Sequence, residues 1–284
     1  MPGNGGLGDL LVAMLNMIGA GPTGPSAELL KGLNEYNPAL YTAAVTLQNA
    51  AVKPIAASVL AVMLVLMLSG ISARAQHDSQ LAVQLIGAAL FKACLVILVV
   101  VNATPILDAI TGISVQIARA AYDAPMGGGG SGVPLGDQMR DDLAGADLMG
   151  QVGMMLMLLI PFLVSQLVSI AVVVLVFMRF LQLFILTCFA PLPLAFFGHE
   201  DTKSIAIGYL KRYATYGLQG AMIILAVKLY QVVVGGYVAA NAGYTDGDPL
   251  AFVASHFGTF LVGPLALGAI LFGATALAKA VIGE

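Results

Sequence analysis

Residues 54–72 read PIAASVLAVMLVLMLSGIS and carry no charged side chain. With Lys53 ahead of it, the run is long enough to cross a hydrocarbon core of ~30 Å at ~1.5 Å per helical residue. Pro54 falls in the first turn, where its missing N–H removes no helical bond. Water rejects such a stretch and lipid accepts it, so the run predicts a transmembrane helix over 53–72.

The neighbouring sequence extends that reading. The polar stretch ARAQHDSQ, residues 73–80, is a short loop, and Leu81 to Val101 forms a second apolar run interrupted only by Lys92. Residues 150–197 are nearly all apolar, long for one crossing and barely enough for two, with Pro161 and the Pro-rich run 188–197 dividing them. Residues 213–240 and 257–282 give two more spans. The whole chain fits this pattern: 284 residues, 59% hydrophobic and 10% charged, with a mean hydropathy of +0.94. Soluble domains are about a quarter charged, so a soluble enzyme is excluded. The fold class expected is an all-α polytopic bundle of about five spans, with amphipathic helices outside the cytoplasm.

The segments between the spans have their own character. Residues 7–20 place Leu7, Leu10, Leu11, Met14 and Ile18 on one helical face, too short to span and suited to a membrane interface. No Lys or Arg precedes them, so no cleavable signal peptide is expected and internal spans direct insertion. Ser26 can cap a second helix with Glu28 in its first turn, and Pro38 breaks it. In residues 104–122, Ile106, Ile110, Ile113 and Ile117 form a stripe with Asp108 and Arg119 opposite, an amphipathic helix lying on a surface. PMGGGGSGVPLG, residues 125–136, reads as a flexible linker. The expected organisation is therefore 1–52, extracytoplasmic amphipathic helices; 53–101, a transmembrane hairpin; 102–150, an extracytoplasmic helix and Gly-rich linker; and 151–284, the remaining spans.

Basic residues orient the bundle. Arg74 lies in loop 73–80, and Lys203, Lys211 and Arg212 in loop 198–212; Lys279 lies near the C-terminus, while loop 241–250 carries only acids. The positive-inside rule puts the basic loops in the cytoplasm. Alternation then requires 150–197 to cross an odd number of times, and one crossing is expected. The layout is N-terminus outside and C-terminus inside.

Few residues offer chemistry. GGGGSG lacks the Lys and the strand–helix setting of a phosphate-binding loop. His77, His199 and His256 are scattered without metal-ligand spacing. Cys94 and Cys188 sit in apolar runs, as small buried hydrophobes would. No catalytic, cofactor or metal motif is present, and the net charge of -3 provides no general basic field for nucleic acid or anionic lipid. Lys92, Arg179 and Lys228 fall within spans with no Asp or Glu at similar depth. Charges there face protein or water, so these three, with Gln182 and Gln231, are candidates for a polar passage or polar helix interface. Snorkelling to the headgroups is the competing reading. Gly217, Ala221, Lys228, Gln231 and Gly235 share one face of the fourth span. Ala269, Gly273, Ala276 and Ala280 share one face of the fifth. Such spacing allows close helix approach in lipid.

Pro191 and Pro193 cannot continue a helix, so carbonyls freed there need a partner or water. Tyr209, Tyr213 and Tyr216, with Lys211 and Arg212, suit a helix entering the membrane at its cytoplasmic face. The segment FMRFLQLFILTCFAPLPLAFF (177–197), a short charged loop and GYLKRYATYGLQGAMIILAVKLY (208–230) together resemble the polytopic channel subunit of type IV secretion and conjugation machines, the TrbL/VirB-six family. Arg179, Ala190, Pro191, Pro193, Tyr209, Leu210, Lys211, Tyr213, Leu218 and Gln219 carry the resemblance, over about residues 170–235. No long C-terminal cytoplasmic extension of the kind some members carry is expected.

The resemblance implies a non-enzymatic, cofactor-free subunit of the bacterial cytoplasmic (inner) membrane. Its implied partners are other secretion-machine subunits and ATPases, further copies of itself as a homo-oligomer, membrane lipids, and translocated DNA or protein in transit. A small-solute or anion transporter using Lys92, Arg179 and Lys228 is the alternative; no inverted internal repeat supports it.

Overall fold

The computed structural model describes residues 5–21, 24–74, 79–124, 134–240 and 249–283. Among these the chain is helical throughout, without a strand. In chain order the helices are α1 (Gly5–Ala20), α2 (Gly24–Leu29), α3 (Leu33–Tyr36), α4 (Pro38–Leu47), a π turn over Gln48–Val52, α5 (Lys53–Arg74), α6 (Ser79–Val101), α7 (Ala103–Asp123), α8 (Leu135–Gln138), α9 (Arg140–Gly145), α10 (Leu148–Phe189), α11 (Pro191–Ala195), a 3-10 turn over Phe196–Gly198, α12 (Lys203–Ala240), α13 (Pro249–Phe272) and α14 (Ala274–Ile282).

Four stretches are long and apolar enough to cross a membrane: Pro38–Ser72, Leu148–Phe189, Lys203–Val233 and Pro249–Phe272. Ile86–Val101 and Ala103–Asp123 pass together as a pair bent by 67°, giving up to five. The outward faces are apolar, as lipid as solvent requires. Leu156, Leu163, Leu167 and Ile170 of α10 are each more than half exposed.

The chain divides into two compact units. The first comprises Met1–Leu30, Ile117–Phe177 and Gly220–Ala274. Its core sets Leu11, Met14, Leu15 and Ile18 of α1 against Leu143, Met154, Leu158, Val253 and Phe260. The buried face of α1 is therefore rotated from the expected one: Leu15 replaces Leu10, which is 43% exposed, and α1 packs on protein. Gly21 ends α1 at φ +64, and a Cβ there would stand 3.1 Å from the Tyr230 ring. The Tyr230 hydroxyl donates to the Ile18 carbonyl at 2.6 Å, closing the last turn of α1. Part of the expected linker is built into this core, since Gly136 N–H donates to Asn16 Oδ1 at 2.7 Å; residues 125–133, with the GGGGSG run, lie outside the described residues.

The second unit comprises Lys31–Gln116, Met178–Gln219 and Thr275–Glu284. The single helix expected from a Ser26 cap to Pro38 is instead two short ones, α2 beginning at Gly24 ahead of Ser26 and ending at Leu29, and α3 ending at Tyr36. Pro38 starts a helix: Asn37 caps α4 by accepting from Leu40 N at 3.0 Å, with Pro38 in the first turn, where proline is tolerated. α5 and α6 pack against each other; residues 75–78 between them lie outside the described residues. α7 buries Leu107, Thr111, Ser114 and Ala118, whereas Ile113 and Ile117 of the expected stripe are 58% and 46% exposed. Its polar side is also engaged, with the Tyr41 hydroxyl donating to Asp108 at 2.6 Å.

Three expectations about the later spans need correction. Pro161 sits inside α10 without dividing it, so one helix covers 148–189 and no second crossing fits within it. The run 257–282 is two helices, broken at Gly273. Among the described residues the small-residue face of that run points outward: Ala269, Ala276 and Ala280 are exposed and Gly273 half-buried, while Leu267, Gly268, Leu271, Ala274 and Ala278 are buried.

Candidate functional site

The second unit has a polar core, and its logic begins with Pro191. A helical carbonyl accepts from the N–H four residues on, and Pro191 has none, so the Thr187 carbonyl is freed. Gln48, fully buried, donates from Nε2 to that oxygen at 3.0 Å. Its own Oε1 accepts from Thr104 Oγ1 at 2.6 Å. The Leu186 carbonyl next to it accepts from the Tyr209 hydroxyl at 2.7 Å. Thr187 Oγ1 donates back to the Leu183 carbonyl at 2.8 Å and lies 3.2 Å from the hydroxyl of Tyr213, itself fully buried. The donors demanded by the Pro-broken helix end are thus side chains from the π turn and from α12.

Arg179 occupies the same unit and is 2% exposed. Nε donates to the Tyr216 carbonyl at 2.9 Å and Nη2 to the Gly217 carbonyl at 3.0 Å. The guanidinium carbon stands 5.0 Å from the Phe180 ring centroid, within cation–π range. Phe180 stacks in turn on Tyr36, with centroids 3.7 Å apart. Arg179 therefore belongs to a polar helix interface, and its planar fork ties α10 to α12. Nη1 of Arg179 and Oε1 of Gln219 are buried without a hydrogen-bond partner among the described residues. Gly217 brings α7 close, since a Cβ on it would lie 2.7 Å from Ser114 Oγ. Gln219 donates to Thr275 Oγ1 at 2.9 Å, and Lys211 to the Gly283 carbonyl at 2.9 Å. Both tie α12 to the α14 end of the chain.

Lys92 departs from expectation. It has an acidic partner, Glu200 in the α10–α12 connection, and Lys203 bonds the other Glu200 oxygen at 2.9 Å. These two hydrogen bonds, Lys92 first, hold the Glu200 carboxyl down at about 2. Sequence spacing missed this pair because Glu200 reaches Lys92 only through the fold. Lys228 stands 4.7 Å from the Tyr122 ring centroid, in the first unit. The three bases expected within spans thus have three different settings. Gln182, Gln231 and Pro193 are half-buried, and Pro191 is buried; the surroundings of Gly235 lie outside the described residues.

The cysteines also part company: Cys188 is buried, but Cys94 is exposed on α6. His199 lies beside Asp201 at 3.6 Å, and His256 stacks on Phe252 with centroids 4.4 Å apart; His77 lies outside the described residues. In the first unit an apolar groove of about 480 Å³ runs between α12 and α13, lined chiefly by Leu229, Tyr230, Val262, Leu267 and Ile270. It gathers no converging polar groups of the kind that orient a small substrate.

Gln48, Thr104, Ser114, Thr187 and Glu200 were not singled out by sequence reasoning. One signal was available, because counting four residues back from Pro191 identifies the Thr187 carbonyl.

Neither the curated proteins nor the solved structures yield a match to the chain. A family model, described as TrbL/VirB6 plasmid conjugal transfer like protein, matches residues 24–191. The match takes in Gln48, Lys92, Thr104, Arg179, Thr187 and Pro191, and stops short of the α12 residues Tyr209 to Gln219. It covers well over half of the chain, and the chain belongs to the TrbL/VirB6 plasmid conjugal transfer family.

Proposed function

We propose that this chain is a channel or scaffold subunit of a type IV secretion or conjugative transfer machine, set in the bacterial inner membrane with its N-terminus outside and its C-terminus in the cytoplasm. The observation that carries the reading is the combination of family membership with polar groups spent on holding helices together. Arg179, Gln48 and Tyr209 donate to backbone carbonyls, and the Tyr213 hydroxyl meets that of Thr187, which suits a scaffold. Translocation energy would come from separate ATPases, and further copies of this chain and other machine subunits would complete the path for DNA or protein.

Anion transport is the weaker reading, because Lys92 is neutralised by Glu200 and Arg179 is engaged with carbonyls. Among the described residues no arrangement of nucleophile, base and oxyanion donors favours catalysis.

The test is affinity purification of the tagged chain from transfer-competent cells in mild detergent. Machine subunits, including an ATPase, should co-purify; a chain recovered alone, and giving anion flux lost with Lys92→Ala in liposomes, would contradict the proposal. For orientation, a reporter fused after Gly132 should behave as extracytoplasmic and one after Lys203 as cytoplasmic. The reverse pattern would overturn the layout.

A further inference from the structure

Every exposed side chain on α10 is apolar, and the exposed positions form a stripe. Met149, Leu156, Leu163, Ile170, Ile185 and Phe189 are each more than half exposed. The helix continues through 42 residues, so the stripe from Met149 to Phe189 is about 60 Å long at ~1.5 Å per residue. Another face of α10 is held against the chain's own α13. A Cβ on Gly268 would stand 3.1 Å from Val168, and one on Gly153 3.4 Å from Leu250. The helix therefore cannot turn its stripe inward.

Lipid cannot cover a stripe of that length. The hydrocarbon is ~30 Å thick, and a spanning helix tilts by up to ~40°. Upright, the stripe exceeds the hydrocarbon by about 30 Å. At the largest tilt it still takes up about 46 Å of depth. Wherever the bilayer is centred, roughly a third to a half of the stripe stands outside lipid. Apolar surface of that extent outside lipid marks a protein contact.

The first unit carries both sides of such a contact. Its part of the stripe, residues 149–177, is a ridge of large apolar side chains. Its groove between α12 and α13, about 480 Å³, has Ala226, Gly258, Gly263 and Ala266 in its lining, small residues that let another helix come close. On α13 the lining runs from Gly258 to Ile270, about 18 Å. Leu156 to Leu167 on the ridge covers about 17 Å. An acyl chain would suit the groove by polarity, but the lining holds no basic residue for a headgroup, and lipid leaves the overhanging ridge bare. A second copy brings a ridge of matching length and covers both.

We propose that the α10 ridge of one copy seats in the α12–α13 groove of the next, with Leu156, Ile160, Leu163 and Leu167 as the inserted side chains. Ridge and groove are different patches of the same unit, so the contact is head-to-tail rather than two-fold. Within lipid its stability comes from close packing of large side chains against small ones, not from leaving water. The inference rests on the membrane setting of the proposed function and deepens it, by assigning a surface through which copies of the subunit meet.

The experiment co-expresses two differently tagged forms of the full chain in transfer-competent cells, one carrying Leu163→p-benzoylphenylalanine. Irradiated benzophenone inserts into nearby C–H bonds and needs no polar surroundings. The membranes should yield an adduct bearing both tags, with the crosslinked peptide of the second copy between Ala226 and Ile270. Ala266→Phe in the second copy fills the groove from an exposed position and should cut the adduct about tenfold. Leu265→Phe, exposed on α13 but outside the groove lining, should leave it unchanged. Monodispersity in detergent verifies the fold of both variants. No adduct between copies, an adduct with lipid or another protein alone, or one joining ridge to ridge would overturn the proposal. So would an adduct indifferent to Ala266→Phe. The readout is contact between two copies and involves no ATPase. Its failure leaves machine membership standing, and the purification test can fail while copies still crosslink.

Discussion

The Gln48 carboxamide donates at 3.0 Å to the Thr187 carbonyl, the oxygen that Pro191 deprives of its helical donor. A residue in a π turn thereby completes a helix end far along the chain. Gln48 opens the π turn Gln48–Val52 and is buried there, and such bulges are frequent at functional sites.

Replacing Gln48 by Leu keeps the volume and removes both bonds. The Thr187 carbonyl and the Thr104 hydroxyl are then buried with fewer partners, which costs about 1–3 kcal/mol. The variant should melt at a lower temperature than wild type in detergent, and an unchanged melting temperature would show that the Pro191 break is satisfied in another way.

Gly217→Ala should destabilise the chain by roughly 1–3 kcal/mol through overpacking, since the new methyl would meet Ser114 Oγ at 2.7 Å. Ser114→Ala removes that oxygen. In a double-mutant cycle, Gly217→Ala/Ser114→Ala should recover much of the loss, giving the coupling expected of residues in contact. Additive effects would place the strain elsewhere.

Arg179→Lys keeps the charge and loses the planar fork that reaches two carbonyls at once. Stability should fall by about 1–3 kcal/mol, and DNA transfer by the host should fall with it. Wild-type behaviour on both counts would mean that charge alone matters at this position.

Glu200 predicts an acid-sensitive contact. Its carboxyl is held at about 2 against an ordinary 4.5 by Lys92 and Lys203. A depressed value stabilises the fold above the ordinary pKa, and that contribution is lost as pH falls through the folded value. Proteolysis of the connection by an acid-active protease should thus stay slow at mildly acidic pH and accelerate as pH falls from 4.5 towards 2. Glu200→Gln should be cut faster throughout and without that transition.

The spans were legible because lipid imposes one requirement, apolar length, that single residues such as those of 54–72 display directly. The long α10 was legible for the same reason, although Pro161 was misjudged. Neighbouring helices and local adjustment let a spanning helix tolerate proline, so composition alone could not decide it. Helix faces were less legible. In α7 the sequence favours the Ile113/Ile117 stripe, yet Thr111 and Ser114 face inward, because where lipid is the solvent the most apolar face can be the outer one. The Lys92–Glu200 pair was hidden by sequence distance, and the small-residue face around Gly273 is outward among the described residues. Of the polar core, Arg179, Tyr209, Tyr213 and Gln219 were identifiable in advance, whereas Gln48 required knowing which helix passes the Pro191 break.

The central claim is that the chain serves conjugative transfer, and an in-frame deletion in a donor strain tests it most directly. Transfer should drop to background with membrane integrity retained and return when the intact gene is supplied on a second plasmid. Normal transfer frequency from the deletion strain would contradict the account.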